Sequence, residues 1–178
     1  PALEAPFRDP NALASDKKGN IFVADTANNL IRKIDTKGIV TTFAGNGEHA
    51  DSGDGGSALE AAIRSMDDIE FSPEGELHIL GTNTHKVRKI TKDGKILTVA
   101  GKGYAGFFGD DGPAINAMLK NPAAISFDSK GNMYIADMGN NRIRKVDKKG
   151  IITTFAGTGK FGWGRTGETV EIYLQNFP

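Results

Sequence analysis

Apolar residues recur along this chain in short runs cut by turn-forming residues, and no long stretch keeps a helical spacing. The last third shows the pattern most clearly. "AAISF" (123–127) leads through the turn "SKGN" (129–132) to "NMYIAD" (132–137), and "MGNN" (138–141) leads to "RIRKVD" (142–147). The turn "KKG" then leads to "IITTFAG" (151–157). This predicts four short strands joined by three tight turns, with Gly131 placed where a positive φ is needed. Within "NMYIAD", Met133 and Ile135 fall on one face and Tyr134 and Ala136 on the other. A strand with two apolar faces is covered on both sides.

The pattern repeats. "VADTANNLIRKIDTKGIVTTFAGNG" (23–47) and "IADMGNNRIRKVDKKGIITTFAGTG" (135–159) agree at 17 of 25 positions, 112 residues apart. Halfway between them, "ILGTNTHKVRKITKDGKILTVAGKG" (79–103) keeps Arg88, Lys89, Ile90, Gly94, Thr98, Ala100, Gly101 and Gly103 in register, so the period is 56 and there are three copies. A period near 50 signals an array in which each unit buries its faces against its neighbours. Four antiparallel strands per unit, apolar on both faces, predict an all-β fold built of β-propeller blades. Blades are expected at about 11–56, 67–112 and 123–168, with linkers at 1–10, 57–66, 113–122 and 169–178. The linkers "SALEAAIR" and "PAINAMLK" read as helix-like, with Ser57 as N-cap and Pro113 near a first turn.

Composition narrows the function classes. The 22 basic and 22 acidic residues cancel, which argues against nucleic acid as a partner, and no apolar run is long enough for insertion into a membrane. Cysteine is absent, so disulfides, thiolate nucleophiles and cysteine-ligated zinc are excluded. The third-strand residues Arg32, Lys33, Arg88, Lys89, Arg142, Arg144 and Lys145 are expected to lay their stems on the sheets and keep their heads in water.

"GNIFVADTANNLIRKIDTKGIVTTFAG" and "GNMYIADMGNNRIRKVDKKGIITTFAGTG" resemble NHL repeats, and "AGKGYAGFFGDDGPAINAMLKNP" (100–122) is similar to the linker of the long, GDG-containing NHL subtype. The resemblance covers essentially the whole chain. It implies a propeller, most often six-bladed, that serves as a recognition platform, with several members extracellular or at the cell surface. Three blades are fewer than the roughly four to eight that close a ring. The missing blades are expected either from the same longer chain, favoured by the absent initiator Met, or from a second copy.

Several motifs have plainer explanations than the chemistry they suggest. "GKGYAG" and "GTGKFG" satisfy the dinucleotide fingerprint, but more glycine follows where a helix should open, and the motif recurs once per repeat as a turn. "DSGDGGS" and "GDDGPA" place glycine where a calcium loop needs oxygen, so Asp54 and Asp110 are read as caps of backbone turns. His49, His78 and His85 fall in different repeat phases without ligand spacing. No metal site, cofactor or catalytic constellation is predicted, and the chain is read as non-enzymatic.

Function is expected where the copies disagree. The second inner strand carries Asp67, Asp68 and Glu70 where the others hold Asn11, Ala12 and Ala14 or Ala123, Ala124 and Ser126. These acids would line the channel as a site for a cationic group, or lie solvated or paired with lysine. Since the other copies fold with alanine there, Asp68 is expected to be dispensable for stability. Phe107 and Trp163 share a phase that, as the resemblance implies, is usually aromatic, and are read as lids over the blade interface, whereas Phe108 has Ser52 and Gly164 as its counterparts in the other copies and is left as a recognition anchor. The turns offer Asn28, Asn29, Asn83, His85, Asn140 and Asn141 on the same face. These residues together predict binding of a protein or glycan in an extracellular or envelope-exposed assembly. A hydrolase or lyase with its site at the channel mouth, or a building block of a fibre or sheath, are the alternatives.

Overall fold

A computed structural model describes residues 1–161; Trp163 and the linker at 169–178 lie outside the described residues. Three antiparallel sheets follow one another along the chain. The first runs β1 (Pro10–Ser15), β2 (Ile21–Asp25), β3 (Leu30–Ile34) and β4 (Val40–Ala44), and the second β5 (Met66–Phe71), β6 (Leu77–Gly81), β7 (Lys86–Ile90) and β8 (Ile96–Ala100). The third takes a two-residue linker strand, β9 (Gly112–Pro113), beside β10 (Ala124–Phe127), β11 (Met133–Asp137), β12 (Arg142–Val146) and β13 (Ile151–Ala156). Each sheet has its strands in chain order, as a meander of hairpins must, and β9 closes the outer edge of the third. The fold is all-β, with sheets arranged as propeller blades.

The hairpin turns are fixed by short acids. Asp35 Oδ1 accepts from the backbone of Lys37 and Ile39 at 2.9 Å, and Asp147 Oδ1 does the same for Lys149 and Ile151 at 2.8 and 2.9 Å. Such Asx turns leave one residue at positive φ, and glycine occupies it: Gly131, for instance, has φ 82°.

Among the described residues the second sheet is covered on both faces, and the first and third sheets each pack one face on it. Ala24, Ile31 and Ala44 of the first sheet pack on Ile69, Leu77, Ile90 and Ile96 of the second, with Ala58, Ala61 and Ile63 of the linker between them. The next interface is built alike from Leu80, Val87 and Ala100, the linker residues Ala114, Ala117 and Leu119, and Ile125, Met133, Val146 and Ile152. The first strands β1, β5 and β10 lie side by side.

The linkers differ from the sequence expectation. Ala114–Asn116 forms a single 3-10 turn, and Ser57 makes a β-bridge to Lys95 instead of capping a helix. Linker backbone pairs with the outer strand (Gly112 with Ile152, Pro113 with Ile151), and a chain committed to that ladder cannot also coil. Its small residues, buried flat between two sheets, are what made it look helical.

The third-strand arginines are a second correction. Arg88 and Arg144 are 4% and 0% exposed, not solvated, because the linker folds over them. Arg88 Nε reaches Asp54 Oδ1 at 2.8 Å and its terminal nitrogens reach Asp51 Oδ1, Ala62 O and Ser52 O. Arg144 reaches Asp110 at 2.7 Å and Asp137 at 3.3 Å. Each buried guanidinium ties linker to sheet through carboxylates on the linker, although Arg144 Nε finds no partner among the described residues.

Candidate functional site

The three acids of the second copy sit on β5, between β1 and β10. Two of them are occupied. Asp67 Oδ2 accepts from Thr82 N at 2.9 Å, and Asp68 Oδ2 accepts from Ile125 N, on the neighbouring sheet, at 2.7 Å. Asp67 works beside Gly81, the position where the other copies hold Asp25 and Asp137. Those two aspartates are fully buried and accept from the linker amides of Arg8 at 2.7 Å and Lys120 at 2.8 Å.

Glu70 is different. It accepts a long hydrogen bond from Ser126 Oγ at 3.5 Å, and burial first, then the charge of Asp68, holds its carboxyl above the usual range; a backbone hydrogen bond from Phe127 opposes both. It borders a cavity of about 720 Å³ with Phe22, Phe43, Phe71 and Phe127 among the lining residues. The sequence expected three acids acting together; the structure leaves one facing this space.

The turn residues are largely spent on the fold. Asn28 Nδ2 donates to both oxygens of Asp25 (3.0 and 2.9 Å), and Asn140 Nδ2 to Asp137 at 2.8 Å and Gly106 O at 2.7 Å. Asn29, His85 and Asn141 take φ of 55°, 54° and 52°, the left-handed region that asparagine and histidine tolerate better than most residues. Asn29 Nδ2 also donates to Gly47 O at 3.2 Å, and His85 Nδ1 accepts from Asn121 N at 3.2 Å. Asn83 and Asn141 are exposed.

Phe108 is 59% exposed, and it stands in a loop with Tyr104 at 68% and Phe107 at 44%. The loop is pinned from below. Gly106 N donates to Leu119 O at 3.2 Å, Met118 N to Phe108 O at 3.1 Å, and Asn140 grips Gly106 O. Phe107 lies with its ring 3.8 Å from the Arg142 guanidinium and 4.8 Å from that of Arg144, while Lys102 Nζ stands 5.4 Å from the Phe108 ring. In the preceding linker the Phe107 position is Asp51, which pairs with Lys86 at 2.8 Å and Arg88 at 3.1 Å. One linker closes its basic pair with a carboxylate and the next with a ring face. Tyr104 was missed by the sequence reading, although its counterparts, Glu48 and Lys160, mark it by the criterion that singled out Phe108.

The glycine motif binds its own chain. Gly101 N donates to Ala114 O and Lys102 N to Ala117 O, each at 2.9 Å, so these amides already have acceptors within the fold. Among the described residues no three His, Asp or Glu side chains converge as a metal site would require. No helix of the described residues is long and apolar enough to cross a membrane.

Comparison with known proteins agrees with the repeat. Residues 7–34 match the NHL repeat family and residues 103–166 the family described as the teneurin NHL domain. Teneurin-m of Drosophila melanogaster is 29% identical over 170 residues, covering 88% of this chain, and mouse (Mus musculus) Teneurin-3 is 33% identical over 158 residues, covering 78%. The chain spans only 6% of the length of either relative. Among solved structures, virginiamycin B lyase from Staphylococcus aureus superposes with a TM-score of 0.54 at 19% identity, over 82% of this chain and 40% of that one. A likeness at that identity shows the fold alone.

Proposed function

We propose that this chain, an NHL-repeat protein, is a recognition scaffold that binds a protein partner through the aromatic loop at residues 102–108, on an extracellular or envelope-exposed assembly. The observation that carries this reading is the pair Tyr104 and Phe108, exposed on a loop whose backbone is tied to Leu119, Met118 and Asn140. Aromatic side chains held in place before contact lose little conformational entropy on binding, which is why such residues dominate interface energetics. Asn83 and Asn141, both exposed, supply hydrogen-bonding capacity from neighbouring turns. The likeness to teneurin NHL domains supports a protein-interaction role for these repeats.

A benzophenone side chain placed at position 108 should cross-link the chain to a defined protein in cell-surface preparations, and the same group at the exposed turn residue Lys149 should not. Equal capture at both positions, or none at 108, would remove the reading. Catalysis is the second reading, favoured by Glu70 alone: a carboxyl held above its usual range at the edge of a 720 Å³ cavity is how a general acid is set up. A hydrolytic or elimination turnover that disappears in Glu70→Gln would move the assignment there.

A further inference from the structure

The groove between the first and second sheets occurs again between the second and third, shifted by one repeat. Phe22, Phe43 and Phe71 line the first; His78, Val99 and Phe127, in the same three phases, line the other. The first cavity measures about 720 Å³ and its counterpart about 430 Å³. Features that differ between the two are not demanded by the packing of one sheet on the next. The first groove opens where the β1–β2, β5–β6 and β7–β8 hairpins turn, at the strand ends opposite the turns that hold Asn28 and Asn140. It is therefore separate from the aromatic loop.

The second groove neutralises its own lysines. Lys89 Nζ meets Glu76 at 2.7 Å and Lys148 Nζ meets Glu74 at 3.9 Å. The first groove keeps the lysines, as Lys33 and Lys92, and lacks the acids: Asn20 stands in the phase of Glu76 and Lys18 in that of Glu74. Asn20 is committed elsewhere, because its Nδ2 donates to Asp16 Oδ2 at 2.7 Å, whereas the second copy holds Ser72 in the phase of Asp16 and so releases Glu76 for Lys89. Among the described residues Lys18, Lys33 and Lys92 form no ion pair. The carboxyls on the same wall have partners of their own. Asp16 accepts from the backbone of Lys18 and Asn20, Asp128 from Asn132, and Glu70 from Ser126, while Glu74 faces Lys148.

The floor of the first groove is aromatic. Phe22 meets Phe43 and Phe71 edge to face, with centroids 4.8 and 4.9 Å apart, and Lys33 Nζ stands 5.9 Å from the Phe22 ring. We infer that this groove binds a small amphipathic carboxylate, its aromatic body against Phe43 and Phe71 and its anionic group on Lys33, with Lys18 and Lys92 on the rim. Charge complementarity selects the class: a carboxylate gives Lys33 the partner that Glu76 gives Lys89, and a further ring extends an edge-to-face cluster. The cavity is within the size range of small-molecule sites.

Titration of the 178-residue chain with naphthylacetate, followed by NMR, tests this, with naphthylethanol and naphthylethylamine as neutral and cationic counterparts. Naphthylacetate should move the Phe43, Phe71 and Lys33 signals and bind about tenfold more tightly than the alcohol, the effect of one hydrogen bond to a charged group. Lys33→Gln should abolish that preference and leave the affinity for the alcohol within about twofold. Asp16→Ser combined with Asn20→Glu writes the pairing of the second copy into the first, and it should abolish the preference with every lysine in place. This double variant decides the matter if Lys33→Gln does not fold. Equal affinity for acid and alcohol in the unmodified chain would overturn the inference, as would tighter binding of the amine. So would a titration that leaves Phe43 and Phe71 unmoved, or a preference for the acid that survives in either folded variant.

Discussion

Replacing Asp68 with alanine separates a binding role for the second-copy acids from a structural one. Asp68 Oδ2 accepts from Ile125 N at 2.7 Å, so the substitution strips a charge-assisted hydrogen bond that joins β5 to β10 across two sheets. A hydrogen bond to a charged group contributes about 1.5–3 kcal/mol, and Ile125 is only 4% exposed, so water can replace the lost acceptor only in part. Against this, Asp68 repels Glu70 and helps raise its pKa, and removing it relieves that repulsion. The net loss should be about 1–2 kcal/mol, or a fall in melting temperature of roughly 2–8 °C for a domain of this size. Asp68→Asn, which keeps an acceptor oxygen, should recover more than half. Thermal unfolding followed by circular dichroism reads both, and the Glu70 carboxyl, followed by NMR titration, should move down toward the ordinary glutamate range in either variant. An unchanged melting temperature in Asp68→Ala would show that the cross-sheet bond carries nothing and would return the acids to the role of a ligand site.

Burial of His78, opposed weakly by its bond to the Glu76 backbone, lowers its pKa to about 4. Between the ordinary value of 6.5 and 4 the unfolded chain binds a proton that the folded chain does not, so stability is complete above pH 6.5 and declines as the pH falls, by about 3 kcal/mol at pH 4 from this group. His78→Phe, the residue the first repeat holds at this position (Phe22), should flatten that slope in urea melts at pH 7, 5.5 and 4.5; parallel slopes would exclude His78 as the cause. Gly101 and Gly150 have φ of 80° and 77°, but a Cβ at Gly101 would strike the carbonyl oxygen of His85, whereas one at Gly150 meets nothing within 4 Å. Gly150→Ala should cost about 1–2 kcal/mol and Gly101→Ala clearly more, and equal losses would mean that the close backbone approach is unimportant.

Repetition made the strands and turns legible: the period of 56, the two apolar faces of "NMYIAD" and the glycine after each Asx turn are all local signals. What stayed hidden depends on partners that sequence spacing does not reveal. Arg88 and Arg144 looked like surface residues because the acids that bury them, Asp54 and Asp110, lie 34 residues upstream on a linker whose path has no periodicity of its own. Asp67 and Asp68 looked like free charges because their partners are backbone amides, which every residue but proline carries and which leave no mark in the sequence. Asn28 and Asn140 belong to the same class: they stood out as a shared surface feature, and they serve the buried Asp25 and Asp137. Phe108 was found because the repeat does not explain it, and the same logic, applied to every aromatic, reaches Tyr104.

On the proposed reading the loop at 102–108 is an ordered platform holding its aromatic residues ready. Hydrogen–deuterium exchange of the Gly106 and Met118 amides tests it most directly, since these are the groups that donate to Leu119 O and Phe108 O. Protection comparable to that of the β11 amides, lost at Gly106 and Met118 but kept in β11 when Asn140 is replaced by alanine, is the predicted result. Exchange of both amides at the rate of an unstructured peptide in the unmodified chain would show that the loop is not held in place before binding.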